Sequence, residues 1–272
     1  MRVEVNGVGT EFDVWGDDGG RPVVLLHGFP DSAQLWRNQV PPLVEAGFRV
    51  ITPDLRGFGR SDQPADVDAY SLVHPAGDVM AILDELGIER AHVVGHDFGA
   101  ALAWVTATFF PDRVDHLVAM SVGHPCAFRL TEVAQGSASW YMLLFQHEGI
   151  AEEWLTADDW TNFREWSHHP DAQGVIEQFG AGGSLTTALN WYRANITPDA
   201  WIAPPLELPP IQSPTMGVWS SRDFALQEAQ MVDSAAHVAG PWRYERVDGP
   251  GHWLQIEQPD EVSRLLLDFL PA

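Results

Sequence analysis

Short apolar runs rich in β-branched residues alternate with longer stretches of helical period through residues 1–124. That alternation predicts a parallel sheet with helices on both faces. The predicted strands are 22–26, 49–53, 91–95 and 116–122. Val79, Ile82, Leu83 and Leu86 fall at i, i+3, i+4 and i+7, one face of a helix that Gly87 is placed to end. Residues 98–110 are apolar on nearly every side and predict a helix packed against the sheet, where Gly99, Ala100, Ala101 and Ala103 permit close approach.

After His124 the pattern changes. Residues 125–213 read as helices rich in tryptophan and close on the proline-dense run TPDAWIAPPLELPPIQSP. Six of the twelve tryptophans lie here (Trp140, Trp154, Trp160, Trp166, Trp191, Trp201), which suggests an element covering an apolar cavity. Alternation then resumes with a strand at 214–219, a helix near 227–239, a strand at 243–247 and a helix from Pro259 that turns Val262, Leu265, Leu266 and Phe269 inward. The chain therefore reads as an α/β core, residues 1–124 and 214–272, interrupted by a helical cap, residues 125–213.

Composition narrows the chemistry. All 15 basic side chains are arginine and none is lysine, so Schiff-base, pyridoxal and phosphate-loop lysine chemistry is excluded. The formal net charge of −23 makes nucleic acid and anionic membranes poor partners. Cys126 stands alone, so no internal disulfide and no paired-cysteine metal site can form. The adjacent His168 and His169 lack further ligands, and no metal is expected. The opening residues carry no apolar signal segment and no run of about 18 apolar residues occurs, so a cytoplasmic enzyme or binding protein is the expectation.

The strand at 91–95 runs into Gly95-His96-Asp97-Phe98-Gly99 and then into the buried helix. A strand, a glycine-flanked sharp turn and a helix form the context of a nucleophile elbow, here with aspartate at its centre. Asp223 follows the strand ending near Trp219, and His252 sits in Gly249-Pro250-Gly251-His252-Trp253. Nucleophile, acid and histidine thus occur in the order of α/β-hydrolase triads. A serine attacking saturated carbon would leave an ether, whereas a carboxylate leaves an ester that activated water can cleave. An aspartate nucleophile therefore points to electrophilic sp³ carbon, an epoxide or an alkyl halide. His27-Gly28-Phe29-Pro30 follows the first core strand, and the backbone N–H groups of Phe29 and Phe98 are the candidate oxyanion hole. The loop 54–62 is assigned a structural role. His96 can pack under the elbow, and the other histidines are read as structural or surface groups.

With these residues assembled, the whole chain resembles the α/β-hydrolase-fold epoxide hydrolases, both the bacterial enzymes and the C-terminal domain of mammalian soluble epoxide hydrolase. The resemblance rests on HGFPDSAQLWRNQ, PDLRGFGRSD, GHDFGAALAW, SSRDFAL and GPGHW, with Tyr141 in WYMLLFQHEGIAE and Tyr192 in ALNWYRAN. It implies that Asp97 attacks the ring, that Tyr141 and Tyr192 activate the epoxide oxygen, and that His252, oriented by Asp223, activates the hydrolytic water, with no cofactor. Many relatives have tryptophan where Phe98 stands. Phe29, Phe98, Trp140, Phe145, Trp191 and Trp253 are the candidate substrate-binding residues, favouring an apolar and even aromatic epoxide. A haloalkane or haloacid dehalogenase shares the fold and nucleophile, but Phe29 and Phe98 offer a halide no N–H side chain and a carboxylate no arginine. A catalytically silent binding protein on the same fold is the reading of another class. A monomer or a homodimer is expected.

Overall fold

The computed structural model describes residues 1–181 and 184–272. Eight strands form one sheet: β1 (Arg2–Val5), β2 (Val8–Trp15), β3 (Arg21–Leu26), β4 (Phe48–Pro53), β5 (Ala91–His96), β6 (Val114–Met120), β7 (Thr215–Ser220) and β8 (Trp242–Val247). Their spatial order is β1-β2-β4-β3-β5-β6-β7-β8. From β4 to β8 every pairing is parallel, while β1 pairs β2 and β2 pairs β4 antiparallel. The six strands predicted from the sequence are present within one or two residues. β1 and β2 were not predicted, because their mixed polar and glycine-bearing stretch buries only one face.

The helices of the core are α1 (Val40–Glu45), α2 (Val73–Glu85) and α3 (Phe98–Phe109). Between β6 and β7 the chain forms α4 (Val133–Ala138), α5 (Tyr141–Leu144), α6 (Ile150–Ser167), α7 (Ala172–Gly180) and α8 (Leu185–Asn195), without a strand among the described residues. The stretch 125–213 includes residues 182–183, which lie outside the described ones. α9 (Glu228–Asp233), α10 (Leu254–Glu257) and α11 (Pro259–Phe269) complete the chain. The helix expected over 227–239 stops early: α9 passes into a tighter helical turn at Ser234–His237.

Two apolar clusters sandwich the sheet. One lies between the sheet, α2, α3 and the inserted helices; the other lies beneath α1 and α11. β5 is buried at every residue, as a central parallel strand must be. The chain leaves β3 to one side toward β4 and returns to the other side as β5. This reversal of winding leaves a crevice at the carboxyl ends of β3 and β5, where open α/β sheets place their sites.

Candidate active site

Asp97 is the first residue past β5 and caps α3 with φ 54° and ψ −124°. A non-glycine residue held there carries about 1–3 kcal/mol of backbone strain. The glycines on either side make the turn possible. A Cβ on Gly95 would run into the Gly99 backbone, and one on Gly99 into the carbonyl oxygens of Leu26 and His27. The turn thus lifts the Asp97 carboxylate to the sheet end, where it is only 7% exposed.

Two loops converge on that carboxylate. From the end of β3, the Phe29 backbone N–H donates to Asp97 Oδ1 at 2.9 Å, and Gly28 lies so close that any Cβ would strike the Asp97 side chain. The Phe98 backbone nitrogen borders the same Gly28 position. From the loop after β8, His252 Nε2 stands 3.5 Å from Asp97 Oδ2, while its Nδ1 is 2.8 Å from Asp223 Oδ2. Asp223 is itself fixed, its Oδ1 accepting the backbone N–H groups of Ala225 and Leu226, each at 3.0 Å.

Electrostatics follow from this burial. Desolvation alone would depress the His252 pKa, but the Asp223 and Asp97 carboxylates outweigh it and raise the imidazole to about 10. Asp223 is pulled below the usual carboxylate range: burial opposes its ionisation, and the charge and hydrogen bond of His252 with the two backbone donors more than compensate. His96 behaves oppositely. Burial and the nearby His252 push its pKa down to about 4. It is therefore neutral, and its Nε2–H donates to the His252 carbonyl oxygen at 2.9 Å, with the rings 4.6 Å apart.

The inserted helices supply two phenols. Tyr141 opens α5 and Tyr192 lies in α8; both are buried, with ring centroids 6.0 Å apart. Burial first, and the Asp97 charge further, push both pKa values well up, so both remain protonated donors at neutral pH. A cavity of about 470 Å³ opens from this point, bounded at its inner end by Asp97, Phe98, Met142 and Tyr192.

A model of the alpha/beta hydrolase fold family matches residues 21–259. The chain belongs to that family. Epoxide hydrolase A of Mycobacterium tuberculosis is 32% identical over 98% of this chain and 96% of its own length. Epoxide hydrolase 3 of Xenopus tropicalis is 30% identical, over 99% of this chain and 77% of the frog protein. The crystal structure of epoxide hydrolase A from Mycobacterium thermoresistibile superposes with a TM-score of 0.82 at 30% identity, covering 99% of this chain and 97% of that one.

In this alpha/beta hydrolase the predicted site residues divide into two sets. Asp97, Asp223, His252, Phe29, Phe98, Tyr141 and Tyr192 come together. Of the six residues expected to line the substrate cavity, only Phe98 reaches its wall. Trp191 is fully buried and donates its indole N–H to the Arg56 carbonyl at 3.0 Å, because its neighbour Tyr192 takes the cavity side of α8. Phe145 is buried behind the tyrosines, 5.3 Å from Tyr141 and 5.0 Å from Tyr192. Phe29 packs its ring edge-on to Tyr192, offering the site its backbone instead. Trp140 is 47% exposed and rests on Trp154. None of the six tryptophans of the inserted segment lines the cavity, whose wall is mostly aliphatic, phenylalanine and proline, with Arg129, Asn195 and Asp199 among its polar members.

Trp253 is diverted for a different reason, one absent from the sequence reading. Its indole N–H donates to Asp31 Oδ2 at 2.9 Å, and the other oxygen of Asp31 meets His169 Nε2 at 3.2 Å. One buried carboxylate thereby joins the loop after β3, the inserted helices and the loop bearing His252. The acid in HGFPD was the available signal for it. His27, likewise buried, accepts the Leu55 N–H at Nε2 (2.9 Å), tying the loop after β3 to the loop at 54–62. In that loop Asp54 holds the Ala33 N–H and the Arg60 guanidinium.

Among the described residues, one trio has metal-ligand atoms within 4.8 Å of one another: His124, Cys126 and His237. The two imidazoles are stacked, 11° from parallel and 4.7 Å apart. Imidazole binds metals through in-plane lone pairs, and those of parallel stacked rings do not converge on one ion. His124 Nδ1 also already accepts the Cys126 N–H at 3.2 Å. No helix among the described residues is long and apolar enough to cross a membrane.

The raised His252 pKa fixes the sign of a pH dependence. Its stabilising effect is fully present below the unfolded value near 6.5 and is lost as pH rises through about 10. The window is unusually clear, since lysine is absent and all four tyrosines are pushed upward. The expected result is a melting temperature that falls between pH 7 and pH 10.5, with a flatter profile for His252→Gln. Parallel profiles for the two proteins would show that His252 does not carry the effect.

Proposed function

We propose that this hydrolase opens an apolar epoxide to a vicinal diol through a covalent ester on Asp97. The reading is carried by one juxtaposition: a buried carboxylate with an imidazole on one side and two buried, protonated phenols on another, Tyr192 on the cavity wall and Tyr141 packed against Tyr192. An epoxide entering the cavity meets Tyr141 and Tyr192 with its oxygen and Asp97 with a ring carbon. The Asp97 oxygen forms a new C–O bond as the ring C–O bond breaks, and the phenols stabilise the developing alkoxide and supply its proton. The product is a hydroxyalkyl ester.

Esterification removes the negative charge of Asp97, one of the two charges that hold the His252 pKa high. The imidazole thereby becomes a usable base at the moment a base is required. It takes a proton from water, the hydroxide oxygen attacks the ester carbonyl carbon, and the Phe29 and Phe98 N–H groups receive the oxyanion. Collapse breaks the ester C–O bond, the departing alkoxide takes its proton from the imidazolium to complete the diol, and the proton of the carboxylic acid left on Asp97 returns to the phenolate, which regenerates the carboxylate and both phenols. Residues 125–213 serve in this scheme as the cap that brings the phenols over the nucleophile and shields the ester from bulk water.

The test is an assay of styrene oxide and aliphatic 1,2-epoxides for diol, with chloroalkanes assayed for halide in parallel. Diol formation is expected. Tyr141→Phe and Tyr192→Phe should each slow ester formation by about 10²-fold, the usual loss when one donor to a developing oxyanion is removed. Steady halide release without diol would replace this reading with a dehalogenase, and no turnover of either class would favour a silent binding protein.

A further inference from the structure

The cavity is long as well as apolar. Asp97, Ala101, Val105 and Phe109 all lie on its wall at intervals of four residues, so one ridge of α3 forms its floor from end to end. At about 1.5 Å per residue the floor runs about 18 Å from the nucleophile. At the far end Val73, Phe109 and Leu206 line the same cavity yet are 58%, 53% and 60% exposed, which places an apolar mouth there. The roof is the proline-dense run for which the mechanism has no use: residues 203–206 and Leu208 line the cavity while following no helix or strand. Proline fixes φ, so the pair Pro204-Pro205 holds the roof at a set height.

We propose that this cavity is a trench selecting epoxides with a long, uncharged aliphatic tail, with Ala101 and Val105 as the residues that read the tail. The inference rests on the epoxide-opening reading and adds the shape of the substrate. A floor running about 18 Å from the nucleophile matches an extended chain better than a compact ring system, which would leave most of it uncovered. Beyond Asp97 the wall carries one charged residue of each sign, Arg129 and Asp199, and Arg129 already faces Glu132 at 3.7 Å, so a charged tail end finds no net complement there. The oxirane sits at the closed end against Asp97 and the tail lies along α3 toward the mouth.

The experiment is a chain-length series of 1,2-epoxybutane, 1,2-epoxyoctane and 1,2-epoxydodecane. With full burial each methylene is worth up to about fourfold in kcat/KM, so the value should climb steeply with length. In Val105→Trp the ratio of the dodecane to the butane epoxide should fall at least about tenfold. Leu206→Glu, at an exposed position that perturbs no core, should lower the same ratio, which keeps the test decisive if the tryptophan variant fails to fold. A ratio unchanged in a folded Val105→Trp or in Leu206→Glu, or no gain with length in the native chain, overturns the trench. Alkane-1,2-diols added in a thermal-shift assay separate the two readings. A shift that grows with chain length in the native protein and not in the variants supports the trench even if no epoxide is turned over, in which case the proposed activity is what fails. A shift independent of length overturns the trench whatever the activity.

Discussion

His252→Gln, mixed with an epoxide that the native chain hydrolyses, is expected to gain one mass increment equal to that epoxide and then to stop. In the proposed route ester formation draws on the Asp97 carboxylate and on the phenols of Tyr141 and Tyr192, none of which the substitution touches. Ester hydrolysis draws on a base within reach of water beside Asp97, and the group positioned for that is His252, 3.5 Å from Asp97 and anchored at 2.8 Å by Asp223. Glutamine matches much of the volume but accepts no proton at neutral pH. Loss of a positioned general base costs about 10²–10⁴-fold, so the ester should accumulate to one per chain while diol release falls by about 10³-fold. Intact-protein mass spectrometry reads the first quantity and diol chromatography the second. Normal turnover by the variant, or the absence of any adduct with a substrate the native chain consumes, would exclude the covalent route.

Asp97→Asn should remove both steps. The neutral amide is a poor nucleophile, and no other carboxylate among the described residues combines access to the cavity with contact to His252. Diol formation is expected to drop by at least about 10⁴-fold, the scale of nucleophile loss in other hydrolases. The double variant Asp97→Asn, His252→Gln should then show no mass increment, which assigns the adduct to residue 97. An adduct on the double variant would place the nucleophile elsewhere.

Most of the scaffold was legible because its signals are local. A fully buried parallel strand is a continuous apolar run, and a glycine-bracketed turn between strand and helix is readable in five residues. β1 and β2 escaped because a half-exposed edge pair has no such run. The same contrast divides the site. Asp97, Asp223 and His252 each follow a recognisable strand end, so chain order was enough to group them. The cavity wall was misassigned because the facing of helical residues is set by tertiary packing: at α8 both Trp191 and Tyr192 touch Phe98, and what separates them is that Trp191 turns to the Arg56 carbonyl and Tyr192 to the cavity. The fourfold series along α3 was present in the sequence. It was masked by a helix apolar on every side, in which the floor of a cavity and the back of a sheet contact look alike. The link from Asp31 to His169 spans 138 residues and left no local trace.

The positive φ at Asp97 sets two selective pressures against each other. Glycine would adopt the same turn without the strain but would forfeit the Phe29 N–H and the His252 imidazole that the carboxylate now holds, so backbone relief and lost contacts pull in opposite directions. A library at this position sorted only on melting temperature would therefore weigh one term against the other: recovery of glycine would show backbone strain to be the larger, and recovery of aspartate would show the buried contacts to be.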